Sequence, residues 1–312
     1  MFVCAMRGSS VGADTSHYLE SYGNSLSHES YEAEYLFYVV IKTVYEYTDT
    51  PEMTQVILSI LTFIPYIIIF TKYSKIPTLS LLLFIVTANV YYLEAFNIVR
   101  QAAATPYLLL AFINLNNKNK KWFLIWSAVA IGFHTTSILF VSLALIAYYC
   151  RFSKKMVSIM ILSSLFFAFC ISSVDLIATL VEKISDYSLF EGYSAYMAYR
   201  LDLARTMNGL ITQLLPPSIL CVYAFNVIGD TPLLRMFLIG VIVLNIVSIM
   251  PTSYRMAYGL NALELLIYPM VLYEYHKNNW LIWCIIVSLC ALWLYNLPAY
   301  GISGLFPYES FI

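Results

Sequence analysis

The sequence predicts an all-α polytopic membrane protein with about ten transmembrane helices. Of its 312 residues, 61% are hydrophobic and only 11% are charged, whereas soluble domains average about 25% charged residues. The mean hydropathy is +0.75, and apolar runs of roughly 20 residues, the length that crosses a bilayer, recur along the chain. This composition excludes a water-soluble enzyme, a disordered scaffold and a nucleic-acid-binding protein.

The apolar runs follow one another with short polar connections, as expected for a bundle of spanning helices. One run is longer than a single span requires, and the others each suit one helix. The predicted runs are 54–71, 77–96, 101–115, 122–150, 156–174, 210–228, 233–250, 257–274 and 280–297.

Three basic clusters mark the predicted cytoplasmic side, because Lys and Arg concentrate in short cytoplasmic loops. Two of them flank the 122–150 run, so a single crossing would leave one cluster on the wrong side. We therefore predict two short helices that break near Gly132 and place His134 at the extracytoplasmic turn; one long tilted helix is the alternative. The clusters are Lys72 and Lys75, then Lys118, Lys120 and Lys121, then Arg151, Lys154 and Lys155.

This sidedness predicts a single integral membrane domain over residues 1–312, in which 1–53 is an extracytoplasmic N-terminal segment. Residues 34–47 place polar groups four positions apart, on one helical face. We interpret them as an amphipathic helix in the outer interface. The residues on that face are Glu34, Tyr38, Lys42 and Glu46.

The segment 175–209 is predicted as an extracytoplasmic amphipathic loop. It carries Tyr187, Tyr193, Tyr196 and Tyr199 among acidic and basic residues. Tyrosine faces with neighbouring charges suit stacking on sugar rings and bonding to their hydroxyls, but tyrosine also forms interfacial belts. Both interpretations stay open.

Three arginines lie beside membrane helices on the predicted outer face: Arg7, Arg100 and Arg255. A guanidinium presents a rigid fork that suits a phosphate or carboxylate, so these residues are candidates to hold a lipid diphosphate. The alternative is that each reaches the headgroups or pairs with a nearby acid, Glu94 or Glu264.

His134 is a candidate general base, since the ordinary pKa of histidine lies near the operating pH. The alternative is a polar group that serves helix packing and is satisfied by Thr135, Thr136 and Ser137. Asp14, in a polar stretch that follows Arg7, is its candidate partner.

Short motifs occur in order along most of the chain. They are Val11–Thr15 followed by Tyr18, with Arg7 upstream, then Glu34–Phe37, Arg100–Ala103, Gly132–Thr136, Tyr254–Met256 and Pro307–Tyr308. In order and spacing they resemble the motifs of the EpsG family of bacterial polysaccharide polymerases, relatives of the Wzy O-antigen polymerases. The departure is at the start, where the family's first spanning helix would precede Arg7; the resemblance implies either a start further upstream or the lack of that helix.

The resemblance implies a GT-C-like integral membrane glycosyltransferase in the bacterial inner membrane. Such an enzyme moves the growing glycan from undecaprenyl diphosphate onto an incoming lipid-linked repeat unit, on the extracytoplasmic face. The implied partners are the undecaprenyl-diphosphate-linked oligosaccharide, membrane lipid and a chain-length regulator. The reaction requires neither a nucleotide sugar nor a metal, so no cofactor is expected.

The resemblance also assigns roles to the candidate residues. His134 is the base, with Asp14 as its rival or orienting partner. The remaining assignments are Arg100, Arg255 and Arg7 to the diphosphate, Gln101, Glu94 and Glu264 to support of the arginines, and Tyr18, Tyr199 and Arg205 to the glycan.

Two other functions are compatible with a multi-helix chain that contains charged residues. A lipid-linked oligosaccharide flippase or transporter would place its polar groups near the bilayer midplane, reachable from both faces, whereas the candidates here collect on one face. A membrane acyltransferase that modifies surface glycans would also use a lone histidine, but the outward position predicted for His134 argues against it.

Overall fold

The computed structural model describes residues 1–12, 15–23, 34–87, 91–172, 207–248, 253–274, 280–302 and 308–311. These residues are 82% helical and contain no strand, which confirms the predicted all-α class. The chain divides into two compact units, one formed by Met1–Leu143 with Tyr268–Ile312 and the other by Ala144–Ile267.

The helices are numbered in chain order. Those up to residue 149 are α1 (Phe2–Ala5), α2 (Thr15–Gly23), α3 (Tyr35–Thr48), α4 (Pro51–Tyr73), α5 (Pro77–Val86), α6 (Tyr91–Glu94), α7 (Val99–Asn116), α8 (Lys120–Phe133) and α9 (Ser137–Tyr149). The remainder are α10 (Lys154–Ser172), α11 (Met207–Val227), α12 (Pro232–Val247), a 3-10 helix (Ser253–Met256), α13 (Tyr258–Asn261), α14 (Glu264–Glu274) and α15 (Trp280–Ile302).

Helix α4 is the centre of the first unit and packs against α1, α2, α3, α5 and α7. Its ends follow from its sequence. Pro51 occupies the first turn, where a missing N–H costs nothing, and Glu52 and Lys72 lie in the first and last turns, where their charges oppose the helix dipole.

Helices α7 and α8 form the most extensive helix pair of the first unit. The small side chains of Ala102–Ala104 are fully or almost fully buried in α7, which allows close packing. A short turn joins the two helices: Lys118 takes a positive φ of 60°, and the Asn119 side chain caps α8 by accepting from the N–H of Trp122. One basic cluster therefore lies at this tight turn.

The 122–150 run is broken, as predicted. Helix α8 ends at Phe133 and α9 begins at Ser137, so the alternative of one long helix is wrong. The break falls at His134, which adopts an extended backbone.

Two other predicted helices are corrected. The 77–96 run does not form one helix, because α5 ends before Thr87, whose backbone is extended, and α6 is a separate helix of four residues. The 257–274 run is divided between α13 and α14. Hydropathy averages over a window and does not detect a turn inside an apolar run.

By length and composition, α4 is the one helix in the described ranges able to cross a membrane, with 23 residues and a mean hydropathy of 2.1 in its apolar window. Five further apolar helical stretches there are 10–17 residues long. They are Pro77–Val86, Ser137–Tyr149, Gln213–Val227, Pro232–Val247 and Ile282–Tyr295.

In the second unit α12 packs against α10, α11 and α13. In the last turn of α12 the buried Asn245 side chain donates to the hydroxyls of Ser164 and Ser218, at 2.9 and 3.3 Å. Gly240 permits a close approach to α13, because a Cβ atom there would lie 2.7 Å from the Cβ of Leu260. Polar and steric contacts therefore both align these helices.

Candidate active site

A buried carboxylate joins two of the predicted site residues. Glu34, immediately before α3, places its Oε1 atom 2.6 Å from Nδ1 of His134. Its Oε2 atom accepts a hydrogen bond from Nη1 of Arg100, also at 2.6 Å. The Glu34 side chain is only 6% exposed. The fold thus brings to Glu34 two side chains that lie 66 and 100 residues further along the chain.

A close helix approach brings Glu34 to His134. A Cβ atom at Gly132, near the end of α8, would lie 2.8 Å from the Cβ of Leu36 in the first turn of α3. Because carbon atoms do not tolerate that distance, glycine is required for this contact. Gly132 therefore allows the start of α3 to meet the end of α8.

The end of α8 is also fixed by aromatic stacking. The Phe133 ring stacks on Tyr107 of α7, with centroids 5.5 Å apart and planes 11° apart. The Tyr107 hydroxyl in turn donates to the carbonyl of Leu61 in α4. His134 follows at once, with φ −154° and ψ 115°, so its ring leaves the helix at a defined position.

The His134 imidazole has one nitrogen engaged by the carboxylate. A neutral ring whose Nδ1 faces Glu34 carries its hydrogen on Nδ1 and keeps the lone pair on Nε2. The backbone N–H of Thr135 also donates to Oε1 of Glu34, at 3.4 Å. Among the described residues Nε2 has no hydrogen-bond partner. An oriented imidazole with an available Nε2 has the geometry of a general base.

Glu34 is held in its charged form. Burial alone would raise the pKa of its carboxyl, but the hydrogen bond with His134 and the charge of Arg100 outweigh burial and hold the pKa below its ordinary value. At neutral pH the carboxylate is therefore ionised, and it accepts from both neighbours.

Arg100 lies in the first turn of α7 with its side chain 36% exposed. Besides Glu34 it has a side-chain hydrogen bond with Tyr18 of α2, and the Tyr18 ring is itself buried. The next residue, Gln101, is buried within α7. A guanidinium carries five N–H donors in a planar fork, the donor set that recognises a phosphate oxygen.

Arg7 is buried where the N-terminal loop meets α2, with 2% exposure. Its Nε donates to Oγ1 of Thr15 at 3.0 Å, and its Nη1 donates to the carbonyl of Cys4 at 2.6 Å. Its guanidinium also lies 5.4 Å from the centre of the Phe96 ring. Arg7 therefore stabilises the start of α2 through a buried hydrogen bond to Thr15.

The other predicted site residues are distributed as follows. Arg255 belongs to the 3-10 helix of the second unit and is half-buried, and Glu264 begins α14 and is buried. Glu94 ends α6 in the first unit and is half-buried. Their predicted roles stay predictions. Asp14, Tyr199, Arg205 and all but the last three residues of the 175–209 loop lie outside the described residues.

The cluster supplies a base, a cation and a carboxylate that contacts both. Within the described ranges no group of three or more His, Cys, Asp or Glu side chains is arranged to hold a metal ion. Acid–base chemistry next to a bound anion is what these side chains can perform.

The sequence matches the EpsG family over residues 1–310. The chain belongs to the EpsG family. Members of this family are Wzy-like polymerases, so membership gives the chain a general role in polysaccharide polymerisation and a lipid-linked polysaccharide substrate. Neither a curated protein nor a solved structure matches the chain.

Sequence reasoning missed Glu34 as a member of the site of this EpsG-family chain. The search for acids near Arg100 considered neighbours along the chain and selected Glu94. The available signal was the glutamate of the motif Glu34–Phe37, which lies on the same predicted face as Arg100 and His134. That signal identifies a candidate, but only packing pairs it with both residues.

Proposed function

We propose that this EpsG-family chain is a repeat-unit polymerase of the bacterial inner membrane. It transfers a growing glycan from undecaprenyl diphosphate to the incoming lipid-linked repeat unit, on the extracytoplasmic face. The observation that carries the proposal is the Glu34 carboxylate, which contacts a histidine through one oxygen and an arginine through the other. A glycosyl transfer from a diphosphate needs one group of each kind.

His134 is the proposed base. The acceptor hydroxyl oxygen forms a bond to the anomeric carbon of the donor while its proton passes to Nε2 of His134. Glu34 keeps the ring oriented and stabilises the imidazolium that results, as a carboxylate does beside a catalytic histidine. General base catalysis of this kind contributes about 10²–10⁴-fold in rate.

Arg100 is the proposed contact of the leaving group. As the bond between the anomeric carbon and the diphosphate oxygen breaks, the electron pair stays on the undecaprenyl diphosphate. The positive charge of a guanidinium next to that oxygen stabilises the developing negative charge and lowers the barrier. Arg255 is proposed as a second diphosphate contact. For Arg7 burial favours a positioning role through Thr15 and α2, which carries the Tyr18 that contacts Arg100.

The α7–α8 pair supports the proposed sidedness. The turn between the two helices carries Lys118, Lys120 and Lys121. Arg100 and His134 lie at the other end of the pair, at the start of α7 and the end of α8. The 18 residues of α7 rise about 27 Å at 1.5 Å per residue, so most of this length separates the basic turn from Arg100. If the basic turn is cytoplasmic, the cluster faces outward. The multi-pass GT-C-like topology with about ten spans belongs to this proposal.

The proposal is tested in the host by deletion and complementation. Deletion is expected to abolish the ladder of polymer lengths while single repeat units are still displayed on the surface. Wild type restores the ladder, whereas His134→Ala, Arg100→Ala and Arg255→Ala at equal expression do not. The control is Lys42→Ala in α3, which removes one partner of an exposed ion pair with Glu46 and should restore the ladder fully.

The same experiment separates the polymerase from the flippase. Loss of all surface glycan, with lipid-linked units retained inside the cell, would identify a flippase. A ladder restored by His134→Ala would remove the proposed base.

A further inference from the structure

The two working side chains of the proposed site share a single carboxylate. Nδ1 of His134 lies against Oε1 of Glu34 and Nη1 of Arg100 lies against Oε2, each at 2.6 Å. Because the carboxylate is shielded from solvent, its charge is divided between these two partners instead of being screened by water. A change in the interaction with one partner therefore changes how strongly the carboxylate interacts with the other.

We propose that Glu34 is a positioning residue that couples the diphosphate site to the base, so that a polyprenyl diphosphate bound by Arg100 strengthens the hold of Glu34 on protonated His134. This inference rests on the proposed function. It adds a linkage to that reaction: with the donor bound, His134 is the stronger base for the proton of the acceptor hydroxyl.

The physical argument is competition for one anion. A diphosphate that takes up donors of the Arg100 guanidinium weakens the Arg100–Glu34 pair, and the carboxylate is then available to stabilise the imidazolium of His134. Binding linkage is reciprocal. Protonation of His134 must therefore tighten diphosphate binding by the same factor by which diphosphate favours protonation.

Few titratable groups meet at this cluster in the described part of the chain. Tyr18 contributes its hydroxyl to Arg100 from α2, Glu34 precedes α3, Arg100 starts α7 and His134 follows α8. The exposed His17 ring lies 6.4 Å from the ring of Tyr18, so a change at His17 is the control for a second histidine near the cluster.

The test measures the binding of farnesyl diphosphate, a short polyprenyl diphosphate, to the purified full chain in lipid nanodiscs between pH 5.5 and 8. The variants are His134→Gln, Glu34→Gln, Glu34→Asp, Arg100→Ala and the control His17→Gln. Dividing the affinity of each protein by that of His134→Gln at the same pH removes the titration of the ligand itself. We expect the wild-type ratio to rise about fivefold or more as the pH falls, which is the lower range of typical coupling between sites.

The variants distinguish coupling through Glu34 from direct attraction between imidazolium and diphosphate. Glu34→Gln should lose the pH-dependent rise, Glu34→Asp should retain part of it, and His17→Gln should match wild type. If Glu34→Gln folds and keeps the full rise, or if the rise follows His17, the coupling is overturned while the polymerase proposal stands. If wild type does not bind farnesyl diphosphate, or if Arg100→Ala binds it equally well, the diphosphate site and the coupling both fail.

Discussion

Two arginine–carboxylate pairs, one in each unit, show how differently the same chemistry is used in this chain. In the second unit Arg235 binds both oxygens of Asp230, at 2.6 and 2.9 Å, and donates to the carbonyl of Tyr148. In the first unit Arg100 binds one oxygen of Glu34, and His134 occupies the other.

The two pairs differ in the sequence separation of their members and in the partner of the second carboxylate oxygen. Asp230 precedes Arg235 by five residues, so this pair forms between near neighbours at the start of α12. Both carboxylate oxygens of Asp230 accept from the same guanidinium. Glu34 lies 66 residues from Arg100, and its second oxygen serves a titratable ring. A saturated local pair stabilises a helix end, whereas a shared long-range carboxylate can support a reaction.

The largest expected effect is on activity in the Glu34→Gln variant. An amide does not orient and charge-stabilise His134 as a carboxylate does, so polymerisation per folded molecule should fall about 10²–10⁴-fold. The measurement is the rate of polymer formation from purified lipid-linked repeat units. A loss below tenfold would mean that Glu34 does not serve the base.

The matching change in the other pair is Asp230→Asn, and its expected effect is on stability. It leaves the largely buried Arg235 without a charged partner, which costs about 1–3 kcal/mol, while polymerisation per folded molecule stays within about twofold of wild type. Thermal unfolding in nanodiscs gives the first quantity, and the same rate assay gives the second. A large loss of rate at unchanged stability would show that Asp230 also serves the reaction, so the two pairs would not differ in function.

Gly132→Ala tests how the long-range pair is assembled. The added Cβ would lie 2.8 Å from the Cβ of Leu36, so α3 and α8 must separate, and Glu34 must move away from His134. Because small displacements of catalytic groups cost large factors in rate, we expect about a tenfold loss of activity. The double variant Gly132→Ala with Leu36→Gly removes the clash and should recover most of the rate; no recovery would show that the helix contact is not the cause.

The smallest expected effect is the pH dependence of stability. The pKa of Glu34 is lower in the folded chain than its ordinary value, so its ionised form stabilises the fold above the pKa of the unfolded chain, about 4.3. That contribution disappears as the pH falls through the lower, folded pKa. The melting temperature of wild type should therefore exceed that of Glu34→Gln at pH 7, and the gap should narrow below about pH 4. A gap that stays constant on acidification would contradict the ion pair.

Local sequence features predicted much of the fold and part of the site. The break at His134 follows from two basic clusters around one apolar run, and the structure places it there. The helical state of 34–47 follows from its four-residue spacing and is confirmed as α3. The interruption between α5 and α6 was missed, because apolar residues continue across the end of α5 and hide it from a hydropathy pattern.

The sequence by itself determined the helical class, the family, the positions of most helices and the candidacy of Arg100 and His134. These properties depend on composition, periodicity and motifs, which are all local. The tertiary structure alone decided that Glu34 joins Arg100 to His134 and that Arg7 lies buried under Thr15. Those contacts depend on helix packing, such as the approach of Gly132 to Leu36, and a contact between residues far apart along the chain leaves no local pattern to detect.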